Sequence, residues 1–179
     1  DGQYVRVCIP SPESIERDLR ISTYGRTFLC DYAVVGVPHL ITYVDDIEAV
    51  LVDCWGHALR HHHDFHPRGV NVNFVQVFEK GRIAVRTYEF GVEGETLACG
   101  TGSSASAILT ALRYKWDGPI RNCEQPVYIR ARSGDELRVY FNVTDDDAIT
   151  DVCLETLVLL TIRGQLAPDF VAEAMESGE

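Results

Sequence analysis

The run Gly94-Glu95-Thr96-Leu97-Ala98-Cys99-Gly100-Thr101-Gly102-Ser103-Ser104 sets a cysteine in a glycine-rich turn, directly before a stretch of small residues that suits a helix. This spacing predicts the Cys99 sulfur beside the unpaired N–H groups of a helix N-terminus, where the macrodipole favours a thiolate. The same donors can hold an anionic group such as a carboxylate. Cys99 is therefore expected to be more acidic than an ordinary thiol and to serve as nucleophile, redox centre or acid/base.

Three other patterns compete for the chemistry. Gly100-Thr101-Gly102-Ser103-Ser104-Ala105 has G-x-G-x-x-A spacing, but the nearest expected strand ends near Glu89, about ten residues upstream. A dinucleotide loop needs a tight strand-to-helix turn. No Lys follows these glycines, so a Walker-type loop is excluded. His61, His62, His63 and His66 suggest metal ligation, yet adjacent histidines on a helix point apart and no Cys or carboxylate pattern completes a tetrahedral set. A solvated helix end without metal is the expectation. Finally, His39 is a candidate base for a Cys99 nucleophile, as in a cysteine hydrolase.

The elements that must position these residues read as mostly β with one central helix. Val5, Val7 and Ile9 alternate with polar residues up to Pro10. Strands are expected over 27–35 and 39–44, and Asp53 is a candidate cap for a short helix ending at Arg60. Residues 71–78 and 82–89 alternate cleanly around Lys80-Gly81, which predicts a hairpin. The helix runs from Thr101 to about Lys115 and stops at Asp117-Gly118-Pro119. A second hairpin spans 127–131 and 137–143, and one long strand or a strand pair covers 152–162. Hairpin succession around one helix is not a βαβ series. Ser103, Ser104, Ala105, Ser106 and Ala107 carry little bulk, so a sheet can curl closely around that end. The predicted fold is α+β, a mostly antiparallel sheet curled around a central helix. It occupies residues 1–163, and 164–179 form an acidic tail, helical or disordered.

Composition narrows the partners. The 179 residues are 46% hydrophobic, enough for one core, either a single domain or one half of a larger protein, and the net charge of −11 argues against nucleic acid and anionic membranes. No apolar run approaches membrane-spanning length and no signal peptide is visible. The start at Asp1, without Met, suggests a piece of something longer. Cys8, Cys30, Cys54, Cys99, Cys123 and Cys153 are widely spaced with no C-x-x-C pair, which predicts reduced thiols in a cytoplasmic protein. Cys8, Cys30 and Cys153 lie in strand patterns and are expected to be inert.

Four ordered motifs carry a resemblance. Glu95-Thr96-Leu97-Ala98-Cys99-Gly100-Thr101-Gly102 is similar to the second-cysteine motif of diaminopimelate epimerases. Gly36-Val37-Pro38-His39, Val70-Asn71-Val72-Asn73-Phe74-Val75 and Arg86-Thr87-Tyr88-Glu89 resemble other second-half motifs of that family, in the right order. The resemblance implies two similar domains with the active site in the cleft between them. It implies cofactor-independent inversion at the α-carbon of LL-diaminopimelate, giving the meso form used for lysine and peptidoglycan. Two cysteines act from opposite faces, one thiolate removing the α-proton and the other thiol returning one. Carried over by position, Cys99 is one acid/base, Glu89 and His39 tune the thiols, and Asn71 and Glu89 bind substrate. Gly100 and Thr101 meet the substrate carboxylate. Val37 stands where many members have a substrate-binding Asn, and Phe90 where they have an Arg. The first half, with its Cys-Gly-Asn-Gly motif, is absent from the chain. The expected partners are an amino-acid substrate, the missing N-terminal half-domain and, in some forms, a second copy in a homodimer. A racemase of the same fold acting on another amino acid, or a silent binding domain, are the alternatives.

Overall fold

The computed structural model describes residues 2–144 and 146–165. Ten strands and two helices follow in the order β1 (Gln3–Cys8), β2 (Glu13–Thr23), β3 (Arg26–Val35), β4 (Val37–Tyr43), α1 (Val52–Arg60), β5 (Asn71–Glu79), β6 (Arg82–Glu89), β7 (Gly94–Thr96), α2 (Gly100–Arg113), β8 (Val127–Arg130), β9 (Glu136–Val143) and β10 (Ile149–Val158). They form one sheet in the order β1-β10-β9-β8-β6-β5-β4-β3-β2, with β7 paired to β6. Most pairings are antiparallel, as the α+β expectation requires.

Two pairings correct the hairpin-only reading. β4 lies parallel to β5, and β6 parallel to β8. Each pair is joined through a helix, α1 in the first and α2 in the second, because parallel neighbours need a long crossover. The helices sit on opposite faces. α1 packs Val52 and Leu59 among Leu40, Val72, Phe74, Ala84 and Tyr88. α2 packs Ile108 and Leu109 among Val35, Ile41, Val75, Val85, Ile129 and Phe141. Strands β3, β4, β5, β6, β8, β9 and β10 all touch α2, so the sheet curls around it as its small residues predict.

Residues 102–111 of α2 are all buried. Full burial of an Ile or Leu stabilises by about 1.5–3 kcal/mol. Ile108 and Leu109 therefore anchor the helix, whereas the Ser103–Ala107 turn mainly lets the sheet approach. Arg113 fixes the other end, gripping the fully buried Asp31 of β3 in a bidentate pair at 2.6 and 2.8 Å. On the opposite face, α1 approaches β6 through Gly56, where a Cβ would lie 2.3 Å from the Cβ of Tyr88.

Several local expectations change. β2 was not visible in the sequence pattern because two register shifts, with Ser14 and Asp18 at φ of 51° and 60°, break its alternation. Asp53 does not cap α1. Leu51 holds the N-cap position without a side-chain bond, and Asp53 Oδ1 accepts the Glu95 N–H at 3.1 Å, tying α1 to β7. Cys8 and Cys153 are not free thiols but a disulfide, since β1 and β10 set them directly opposite each other. Cys30, Cys54, Cys99 and Cys123 are free. Cys30 is fully buried in β3, and burial pushes its thiol up to about 12. From residue 166 onward the expected acidic tail lies outside the described residues. No described helix is long and apolar enough to cross a membrane.

Candidate active site

Side-chain alternation along three neighbouring strands builds the site. Ile41 of β4, Val75 of β5 and Val85 of β6 face α2, while Leu40, Val72 and Tyr88 face α1. Period-two alternation then turns His39, Asn71, Asn73, Thr87 and Glu89 toward α2. His39 stands opposite Asn71 across the β4–β5 pair, and Asn73 opposite Thr87 across β5–β6. His39, Asn71, Asn73 and Thr87 are all buried. A polar row therefore crosses the end of the sheet beneath the first turn of α2.

Cys99 is the N-cap residue of α2 and is 7% exposed. The first intrahelical bond runs from Ser103 N–H to the Cys99 carbonyl, at 2.8 Å, which leaves the N–H groups of Gly100, Thr101 and Gly102 as the unpaired donors of the turn. Those of Thr101 and Gly102 face the Cys99 side chain closely enough to pull its thiol down, and the Thr101 hydroxyl lies 3.7 Å from the sulfur, but the side chain makes no capping hydrogen bond. The acidity expected of Cys99 is nevertheless reversed. Burial pushes its thiol up and the charge of Glu89 adds to that, outweighing the N–H groups that pull it down. Gly102 is what allows the close fit. A Cβ there would lie 2.4 Å from Asn73 Oδ1 and 3.2 Å from the Cys99 sulfur.

The neighbours are held firmly. Asn71 Oδ1 accepts the Phe90 N–H at 2.8 Å, so its NH2 is the end left for other groups. Thr87 donates to Asn73 Oδ1 at 2.9 Å, and Asn73 Nδ2 reaches both Leu40 O, at 3.2 Å, and His39 Nδ1, at 3.3 Å. Asn73 is the residue that motif reading overlooked; its signal was the same-face spacing from Asn71. Burial lowers His39 to about 4, so its ring is neutral at pH 7. It cannot be charged there, and its Nε2 is buried without a partner among the described residues.

The arginines nearby are committed to the fold. Arg86 pairs with Glu95 at 2.6 and 2.7 Å and bonds the carbonyls of Ile47 and Val50, while Arg113 holds Asp31 and Asp18. The Arg60 guanidinium stands 4.9 Å over the Phe90 ring, but its Nη atoms bond Arg68 O and Glu93. A cavity of about 580 Å³ opens elsewhere, beside Tyr32, Phe65 and Arg68, and none of the polar row lines it. The histidine segment has one carboxylate neighbour, Asp64, which makes three candidate ligands and not the four of a tetrahedral set. His62, His63 and Asp64 offer ligand atoms within 4.8 Å of one another. His62 spends Nδ1 on the Asp64 N–H and Nε2 on the Ser22 carbonyl, which leaves it no lone pair for a metal.

The chain and its fold have counterparts among known proteins. The diaminopimelate epimerase family model matches residues 32–149. The chain is 37% identical to the diaminopimelate epimerase of Aquifex aeolicus over 94% of its length, and 43% identical to that of Hydrogenobaculum sp. over 60%. It covers 57% and 40% of those two relatives, about half the length of the proteins it matches. Among solved structures, a probable proline racemase from Agrobacterium radiobacter superposes with a TM-score of 0.67 at 18% identity, over 93% of this chain and 54% of that one. A hydroxyproline epimerase from Agrobacterium vitis gives 0.66 at 19%, over 86% and 49%. These two share the fold. Since the matched stretch carries His39, Asn71, Glu89 and Cys99 together, the chain belongs to the diaminopimelate epimerase family.

Proposed function

We propose that this chain supplies one face of an active site that inverts the α-carbon of LL-diaminopimelate to the meso form without a cofactor. The observation that carries the reading is Cys99 at the N-cap of α2, with the unpaired first-turn N–H groups beside it and the His39–Asn71–Glu89 row on the sheet face that α2 covers. An amino acid's α-proton is very weakly acidic, so the carbanion formed on its loss needs donors aimed at the carboxylate. The first-turn N–H groups at Gly100 and Thr101 suit that task, in a site that excludes water. The NH2 end of Asn71 and the carboxylate of Glu89 suit the rest of the substrate. A cysteine on the opposite face completes the reaction: one thiolate takes the α-proton, and the other thiol gives its proton to the far side of the carbanion. Acid and base of equal intrinsic strength serve both directions. That second cysteine would come from a half-domain outside this chain, which fits relatives about twice as long.

A neutral Cys99 thiol, as burial dictates here, is the proton-donating form. The measurement that tests the reading is α-proton exchange in D2O with chiral analysis of the product, on the complete protein. Cys99→Ala should lower inversion by roughly 10²–10⁴-fold, the usual contribution of a positioned acid/base. Unchanged inversion overturns the assignment.

One observation favours a second reading, a racemase of another amino acid. Phe90 cannot grip a distal carboxylate as Arg does, and Arg86, Arg113 and Arg60 are bound internally. Turnover of lysine or ornithine approaching that of diaminopimelate would favour it. A preference for diaminopimelate of several orders of magnitude rejects it.

A further inference from the structure

We propose that Asn73 is a positioning residue that fixes the tautomer of His39, holding the ring with Nδ1 bare and the proton on Nε2. The assignment follows from what each atom can do. Leu40 O is a carbonyl and can only accept, so the atom of Asn73 that lies 3.2 Å from it is the amide NH2. Thr87 Oγ1, at 2.9 Å, donates to the other end of the amide and locks the same orientation from the opposite side. The second hydrogen of that NH2 points to His39 Nδ1, 3.3 Å away. A protonated Nδ1 would set two N–H groups against each other, so Nδ1 accepts and a neutral ring carries its proton on Nε2. All three side chains are buried, so no water is at hand to exchange roles with them.

The consequence reaches the chemistry. Nε2–H is a buried donor with no acceptor among the described residues, and an unpaired buried donor is costly. Asn73 also touches the first turn of α2, since its Oδ1 and the Cys99 sulfur both lie against the bare Cα of Gly102. The chain thus holds an uncharged N–H donor linked through Asn73 to the turn that carries Cys99, reserved for an acceptor that arrives with the substrate or with the rest of the protein. The use of the donor rests on the epimerase reading; the tautomer does not.

The test is 15N NMR of the ring nitrogens in the 15N-histidine-labelled chain, with His39 identified by its loss in His39→Gln. We expect a pyrrole-type signal at Nε2 and a pyridine-type signal at Nδ1 at pH 7. Asn73→Asp replaces the donor to Nδ1 by a carboxylate that can only accept. It should move the proton to Nδ1, or make the ring cationic at pH 7. Thr87→Val, which leaves Leu40 O in place, should keep the wild-type tautomer. A pyrrole-type Nδ1 in the wild type overturns the proposal, and so does an unchanged tautomer in folded Asn73→Asp. Should that variant fail to fold, the wild-type and Thr87→Val spectra decide the matter. None of these readouts depends on catalytic activity, so loss of the epimerase reading would leave the tautomer result standing, and the reverse.

Discussion

Cys99 and His39 are both shaped more by burial than by their neighbours. Burial and the charge of Glu89 hold the Cys99 thiol protonated against two helix N–H groups. Iodoacetamide at neutral pH should therefore label the exposed Cys54 well before Cys99, by mass-spectrometric time course. Faster labelling at Cys99 would mean that the helix terminus prevails. His39 contributes a pH signature. Its pKa falls from 6.5 to about 4 on folding, so the unfolded chain binds the extra proton between those values and stability drops as pH falls through that window. The loss levels off below about pH 4 and amounts to roughly 3 kcal/mol at the usual 1.36 kcal/mol per pH unit. Denaturant titrations from pH 7 to 4 should show this slope in the wild type, and a flatter one in His39→Gln.

At the scale of elements, α2 is held at its two ends by different devices. At its start, Gly102 lets the helix meet Asn73 and Cys99. Gly102→Ala should destabilise by about 1–3 kcal/mol, the usual cost of overpacking, despite the better helix propensity of Ala. At its end, Arg113 neutralises Asp31, which is fully buried. Arg113→Leu leaves that carboxylate unpaired and should cost about 3–5 kcal/mol by chemical denaturation. A loss below 1 kcal/mol would show that Asp31 is satisfied by the Asp18 N–H and Tyr43 hydroxyl alone.

For the whole molecule, one curled sheet presents one wall of the proposed site. Inversion needs a donor and an acceptor on opposite faces of the substrate. The 179-residue chain alone should therefore give no inversion, and adding the remaining half of a full-length relative, in trans or by fusion, should restore it. Robust inversion by the chain alone would require a second acid/base among its own residues.

Local pattern determined a good part of this protein. Alternation gave the β5–β6 and β8–β9 hairpins, the small-residue run gave a helix that a sheet can enclose, and the glycine-flanked cysteine gave the N-cap of α2. Ordered motifs placed Cys99, Glu89, His39 and Asn71 in one family. Each of these depends on residues close in sequence, where spacing maps directly onto geometry. Tertiary structure decided the rest. The parallel crossovers, the Cys8–Cys153 pairing and the face shared by His39 and Asn73 depend on which strands become neighbours, and no local spacing encodes that. The acidity of Cys99 turned on the same fact. A helix N-terminus favours a thiolate where water reaches the sulfur, but enclosure by the sheet removes the water, and the cost of an unsolvated charge is then the larger effect.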